Sequence, residues 1–472
     1  MYTAIGRVLQ SGRRRAPGEQ DVSGWAPVGS QIVERPDLDP SRHLDDLAGF
    51  LSGAPSPFHA VALAASRLEA EGFLRVDEST PWPEEPGRYV VIRGGSLVAW
   101  STERTMSPRN GFRIVGTHTD SPNLRVRPRP DMRSAGMAQL GVEIYGGALL
   151  NSWLDRDLGL SGRVALMGAS DSPKDVLVAF DEPLLRVPQL AIHLDRSISS
   201  DGLRLDPQRH LQPVWSSNPG TVPEFRLWLA DRIGVNPDQI AAWDLMTHDL
   251  TPPSRLGADR SLFAASRIDN LLSCHAALIA LITSVDHSDG AVPVVCMFDH
   301  EEVGSQSASG AAGQFLPAML ERICISSGLT RDEWFAACAA SRCISADGAH
   351  ATHPNWPERH EPAHQVFLDQ GPVVKWNADA RYATDSPSAS RVLSLAQDLD
   401  IPMQAFVSRN DMPCGSTIGP VTAARLGIPT VDIGVAQLSM HSARELTGVI
   451  DPARFSTLLQ AFLSESLALN LW

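Results

Sequence analysis

The 472-residue chain is sparing with cysteine: it has six, with no CxxC pair and no framework spacing. That argues against a disulfide scaffold. Cys274 and Cys296 lie inside apolar runs, where a reduced cysteine behaves as a small buried hydrophobe, so a reducing, cytoplasmic setting is expected. Positive charge is in deficit too, with 40 Lys and Arg against 54 Asp and Glu and a net charge of -14. A general nucleic-acid binder needs a basic face to neutralise phosphates, and that class is set aside. An anionic small substrate is not, because a local cationic pocket can exist in an acidic protein. No apolar run approaches the ~20 residues of a membrane span, so no membrane partner is expected. Arg13-Arg14-Arg15 has no apolar stretch behind it, which argues against a secretory signal.

What is present is a globular composition, 43% apolar and 20% charged, in a chain long enough for two or more domains. Residues 1–40 are rich in Gly, Pro and Arg and show no amphipathic period. They are expected to be a flexible N-terminal extension, or an over-long start. Leu47 to Leu51 and Phe58 to Leu68 read as amphipathic helices, the second entered through Ser56-Pro57. Tyr89 to Arg93 and Ser96 to Trp100 read as a hairpin about Gly94-Gly95. From about 125 to 255 the segments Val142 to Tyr145, Ser161 to Leu166, Val176 to Ala179 and Leu190 to Leu194 alternate with Gly, Pro and Asp clusters. That pattern predicts a mostly β inserted domain at 125–255. The flanking stretches, 41–124 and 256–472, are expected to make one discontinuous α/β domain. In it Leu271 to Val285 reads as a helix, and Phe112 to Gly116, Val292 to Phe298, Arg342 to Ala346, Pro402 to Val407 and Thr430 to Gly434 read as strands.

The polar motifs stand at strand ends or helix starts, where open α/β sheets bind ligands. Glu301 and Glu302 follow an apolar run and lead into Gly304. One such carboxylate can ligate a metal while its neighbour takes a proton from bound water, although most Glu-Glu pairs are simply solvated. In the His-x-Asp of His118 and Asp120 the carboxylate can fix the imidazole, and a capped turn suits these residues equally well. Asp269 at the start of a helix is explained by N-capping alone, yet a carboxylate there can also bridge two ions. Asp347 follows a strand, and His441 is expected just before a helix. His350, His353, His360 and His364 lack a matching Cys set or a His-Glu-x-x-His, and read as a polar loop. Jointly, two His, a potentially bridging Asp, two further carboxylates and a spare Glu form the complement of a dinuclear site, with ions about 3.5–4 Å apart. Mixed His and carboxylate donors suit two Zn²⁺ ions, with Mn²⁺ or Co²⁺ as substitutes.

Taken together, the segments resemble the aspartyl aminopeptidase family of dinuclear zinc metallopeptidases. The resemblance runs in order through Gly116-Thr-His-Thr-Asp-Ser-Pro-Asn-Leu-Arg-Val-Arg127, Trp153-Leu-Asp-Arg-Asp-Leu158, Leu190-Ala-Ile-His-Leu194 and Arg267-Ile-Asp-Asn-Leu271. It continues through Glu301-Glu-Val-Gly-Ser305, Asp347-Gly-Ala-His-Ala-Thr-His-Pro-Asn355, Gly371-Pro-Val-Val-Lys375, Arg409-Asn-Asp-Met-Pro-Cys-Gly-Ser-Thr-Ile-Gly-Pro420 and Met440-His-Ser-Ala-Arg-Glu445.

The resemblance implies a mixed-sheet α/β catalytic domain with helices on both faces, and a β-rich dimerisation insert. It implies that His118, Asp269 and Asp347 hold one ion and that Asp269, Glu302 and His441 hold the other. Glu301 would be the general base, and Asp120 would orient the first-site histidine or its surroundings. His193 would reach into a neighbouring subunit's active site, within dimers that build a dodecamer. The implied substrate is a peptide with a free N-terminus, led by Asp or Glu. Lys375, with Tyr382 nearby, would receive the acidic side chain, unless Lys375 is a surface lysine. His300, Gly348 and Met412 depart from the family pattern without removing a ligand, which touches specificity rather than activity. Two rival readings stay open: a deacylase or carboxypeptidase acting on N-acyl amino acids, and a non-enzymatic assembly protein with a residual site.

Overall fold

Phe112–His118 and Val292–Phe298 are buried at every position, as strands covered on both faces must be. They pair in parallel near the middle of a nine-stranded sheet in the computed structural model, which describes residues 39–104, 107–167, 174–286 and 290–465. From edge to edge the sheet runs Leu74–Arg75, Arg88–Arg93, Ser96–Ser101, Val292–Phe298, Phe112–His118, Arg342–Ala346, Thr430–Gly434, Val373–Trp376, Gln404–Val407. The strands from Val292–Phe298 to Thr430–Gly434 are mutually parallel. Ser96–Ser101 and Val373–Trp376 join them antiparallel, so the sheet is mixed.

Successive side chains of a strand point to opposite faces, and the core divides accordingly. Val295 and Met297 join the helices Pro40–Gly53, Pro57–Ala70, Ile268–Ser284 and Asp451–Leu463 on one face. Val294, Cys296 and Phe298 join Phe315–Ser326 and Arg331–Ala340 on the other. The expected layering, with helices on both faces, is what the chain adopts. Ser56 starts the second helix as expected, its hydroxyl accepting from the His59 amide at 3.4 Å.

A six-stranded antiparallel sheet is drawn wholly from residues 123–249, in the order Lys174–Leu185, Leu158–Leu166, Ile240–Asp249, Asn123–Ser134, Met137–Tyr145, Val214–Ser216. Its own core gathers around Leu160, Phe225 and Leu229. A third sheet joins Ser254–Leu256, Leu262–Ala265, Glu445–Gly448, Ala436–Leu438 and Ala349–His350.

Three local expectations are corrected. Leu190 to Leu194 is no strand but an exposed turn, with Leu190, Ile192 and Leu194 at 58%, 50% and 75% exposure. Its apolar alternation has no neighbouring strand to pair with among the described residues. Phe112–His118 runs two residues beyond Gly116, so His118 ends the strand instead of following it. His441 stands before the strand Glu445–Gly448, not before a helix. The expected extension at 1–40 falls almost entirely outside the described residues.

Candidate metal centre

His118 and Asp347 sit at the C-terminal ends of two adjacent parallel strands, and Glu301 and Glu302 follow a third in a single turn, Glu301–Val303. Close approach of strand and loop is possible because position 434 is glycine: a Cβ there would lie 1.8 Å from the Asp347 carbonyl oxygen. Asp269 enters from the helix Ile268–Ser284 in a non-helical conformation (φ -81, ψ 105), and its carboxylate points at two histidines. The capping explanation for Asp269 therefore does not hold. His441 arrives on a turn with φ +67.

The Asp269 carboxylate divides its two oxygens. Oδ1 lies 3.3 Å from His118 Nε2, and the same nitrogen is 3.5 Å from Asp347 Oδ1. Oδ2 lies 3.4 Å from His441 Nε2, which is also 3.4 Å from Glu302 Oε2. His118, Asp269 and Glu302 offer ligand atoms within 4.8 Å of one another, a group that straddles these two sets.

The ring orientations show what such a cluster lacks. His118 Nδ1 donates to the Asp120 carbonyl at 3.0 Å, and His441 Nδ1 donates to the Gly147 carbonyl at 3.0 Å. A carbonyl oxygen only accepts, so each neutral ring directs the lone pair of Nε2 at carboxylate oxygens. Acceptors facing acceptors in a buried site need a cation between them. Asp269 Oδ1 and Glu302 Oε1 are buried without a hydrogen bond among the described residues, which fits the same need. The electrostatics agree. Burial works against protonation of His118, yet Asp120, Asp269 and Asp347 outweigh it and raise its pKa well above the ordinary value. His441 is pushed up to about 10, Asp269 and Glu302 overcoming the effect of burial. Burial foremost, then the charge of Asp269, raises Glu302 well above a normal carboxylate. Glu301 is pushed up to about 7 by burial, which with Asp347, Asp120 and Asp269 outweighs His118. A site that retains protons this strongly is one where a divalent ion would displace them.

Asp120 supports this group from beneath. Its carboxylate accepts from the amides of Glu301 and Glu302, each at 3.1 Å, and from the Tyr145 hydroxyl at 2.6 Å. Its nearest carboxylate oxygen is 3.5 Å from His118 Nδ1, so it is the backbone carbonyl of Asp120 that holds the ring. Tyr145 and Glu445 are site residues that sequence reasoning missed. Glu445 accepts from the amides of Asp269 and His441, and burial followed by the charge of Asp269 pushes it up to about 8. Glu445 closes a recognisable segment, but nothing in a linear sequence says that it touches residue 269.

Lys375 is 2% exposed, which rules out the surface-lysine reading. Its Nζ donates to the Gly348 carbonyl at 3.0 Å, lies 3.6 Å from Asp347 Oδ2 and stands 5.2 Å from the centre of the Tyr382 ring. His350 lies within electrostatic reach of Lys375, Asp269, His441 and Asp347. The remaining loop histidines bond locally: the His353 amide donates to His360 Nε2 at 3.0 Å, and His364 pairs with Glu361 at 2.5 Å. His193 lies on the exposed turn of Leu190 to Leu194, away from the hydrogen bonds and ion pairs described for this centre.

Residues 50–463 match the family model described as aminopeptidase I zinc metalloprotease (M18). The chain is 52% identical over 429 residues to a probable M18 family aminopeptidase 2 of Streptomyces coelicolor, covering 89% of this chain and 97% of that protein. A chain from a cryo-EM structure of the Ape4 and Nbr1 complex superposes with TM-score 0.86 at 36% identity, over 90% of this chain and 86% of that one. The S. cerevesiae mApe1 dodecamer gives TM-score 0.78 at 26% identity, over 91% and 98%.

Proposed function

The chain belongs to the M18 family of zinc metallo-aminopeptidases, and on that premise we propose that it removes an N-terminal Asp or Glu from peptides at a two-ion centre. The observation that carries the two-ion reading is the divided carboxylate of Asp269, with a separate histidine Nε2 facing each oxygen. His118, Asp269 and Asp347 are assigned to one ion, and Asp269, Glu302 and His441 to the other. Zinc is the expected metal, with manganese or cobalt able to replace it. When bound, the ions polarise the scissile carbonyl and lower the pKa of the attacking water.

The chain's own groups do the rest. Glu301 is not in either ligand set and stands next to Glu302 on the same short turn, so its carboxylate can take a proton from water and return it to the leaving amine. Asp120 holds the Glu301 and Glu302 amides and thereby fixes where both side chains begin. Lys375, lying over Tyr382, supplies the buried cation that an acidic substrate side chain requires.

The exposed leucines around His193 support a role for that turn in a neighbouring subunit, where the imidazole would stabilise the developing oxyanion. Residues 125–255 are accordingly assigned to dimerisation, 41–124 and 256–472 to catalysis, and 1–40 to an extension. Dimers building a dodecamer in the cytoplasm are the proposed assembly, by analogy with the mApe1 dodecamer.

A substrate panel on metal-reconstituted protein tests the whole reading. Free-amine Asp and Glu substrates should be cleaved fastest, Ala substrates slowly and N-acyl amino acids not at all. Preferred turnover of the N-acyl compounds would replace this proposal with a deacylase.

A further inference from the structure

Glu445 opens the strand Glu445–Gly448, paired with Ala265 of the neighbouring strand, and is buried. Each of its carboxylate oxygens is committed to one backbone amide. Oε2 accepts from Asp269 at 2.9 Å and Oε1 from His441 at 2.8 Å. The first donor is 176 residues away in sequence and the second only four. Neither backbone is held by the hydrogen-bond ladder of a regular helix or strand: Asp269 is non-helical inside a helical segment, and His441 has positive φ on a turn. One rigid side chain thus joins the segment that carries the divided carboxylate to the segment that carries its histidine partner.

We propose that Glu445 is a positioning residue that sets the spacing between the Asp269 carboxylate and the His441 imidazole before any ion arrives. The inference rests on the ligand assignment proposed above. A carboxylate is required because two N–H donors converge on it. Glutamine offers one acceptor oxygen and would turn its own NH₂ towards the other amide. Aspartate keeps the charge but is one methylene too short to reach both. Residues that orient ligands in this way typically affect metal affinity or activity 10–100-fold. The ion held by Asp269, Glu302 and His441 has two of its three ligands on Glu445, whereas the other ion has one. Loosening this clamp therefore acts first on the His441 side.

The test compares Glu445→Gln with wild type and with Glu302→Gln. The metal-free Tm, zinc binding by calorimetry, the absorption spectrum of the cobalt-loaded protein, kcat and KM are read in each. The expected result for Glu445→Gln is about 10–100-fold weaker binding of one ion out of two, a changed cobalt spectrum and a lower kcat at near-constant KM. Wild-type affinity for both ions overturns the proposal, and so does a lowered Tm with unchanged metal binding. If Glu302→Gln itself keeps both ions, the ligand assignment has failed instead. If Glu445→Gln does not fold, amide hydrogen exchange in unaltered metal-free protein decides: slow exchange at Asp269 and His441 supports a preformed clamp, and fast exchange overturns it.

Discussion

The hydroxyl of Tyr145 donates to Asp120 at 2.6 Å, and both side chains are buried. Tyr145 ends a strand of the six-stranded sheet, and Asp120 carries the amides of Glu301 and Glu302. The loop just beyond Tyr145 gives the carbonyl of Gly147 to His441. At Gly146 a Cβ would come within 3.1 Å of Glu302 Cβ, so a bare backbone is what lets the loop lie against the centre. The β-rich segment is thus in direct contact with Asp120, Glu302 and His441 through one phenol and two glycines.

Removing that phenol oxygen leaves Asp120 as a buried carboxylate with one donor fewer. Hydrogen bonds to charged groups are worth about 1.5–3 kcal/mol. Tyr145→Phe is expected to reduce kcat by about ten-fold or more, at ~1.4 kcal/mol per decade, while both ions stay bound. Steady-state rates and elemental analysis check this. An unchanged kcat would show that the two backbone amides suffice to hold Asp120.

Glu301 and Glu302 are adjacent in sequence but differ in their contacts. Glu302 Oε2 faces His441 Nε2 at 3.4 Å, while Glu301 belongs to neither ligand set. Glu302→Gln is expected to lose metal during gel filtration. Glu301→Gln should retain two ions per chain and lose roughly 10²–10⁴-fold in turnover, the range of general acid–base contributions. Wild-type-like turnover in Glu301→Gln would remove it as the base.

Much of this was legible in the sequence, for reasons that differ by residue. Fully apolar runs such as Val292 to Phe298 announce strands covered on both faces, and their boundaries need no tertiary information. His118, Asp347 and the Glu301-Glu302 pair were recognisable because each closes or follows such a strand, and Asp269 because it opens a helical segment; His441, on a turn before a strand, was legible only through the resemblance of its segment. Asp269 was ambiguous, since capping and bridging ask for the same side chain in the same place, and only the approach of His118 and His441 separates them. Tyr145 and Glu445 were invisible because their function lies in contacts with distant backbone or with another buried side chain. The turn of Leu190 to Leu194 misled because strand-like alternation also arises where apolar side chains lie exposed on a turn.

Lys375 is held by the Gly348 carbonyl and lies beside Asp347, so it has two candidate tasks: receiving an acidic substrate side chain and steadying Asp347. Lys375→Ala separates them. If it reads the substrate, the ratio of Asp-peptide to Ala-peptide kcat/KM falls by at least ten-fold while metal content is unchanged. If it steadies Asp347, both substrates slow together and metal is lost. An unaltered ratio sinks the specificity proposal.

A pH effect on stability is expected outside the candidate metal centre, where the helix Pro40–Gly53 meets Ile268–Ser284. The rings of His43 and His275 lie 4.8 Å apart, both buried, and His275 Nε2 bonds Asp46 at 2.7 Å. Burial, followed by the neighbouring His275, pushes His43 down to about 3 from its ordinary 6.5. Between these values the unfolded chain binds a proton at this position and the folded chain does not, so stability falls as pH drops below about 6.5 and is fully present above it. At pH 5 a neutral buried histidine of this kind costs about 2 kcal/mol relative to pH 7.5, from ~1.4 kcal/mol per unit. In His43→Gln that contribution is gone. Urea unfolding of metal-free protein at pH 7.5 and pH 5 should therefore show a larger acid shift of the midpoint in wild type than in the variant. Using metal-free protein keeps proton competition at bound ions out of the comparison, and taking the difference between the two proteins cancels the histidines they share other than His275, which titrates together with His43. Equal acid shifts in both would mean that His43 titrates normally in the folded chain.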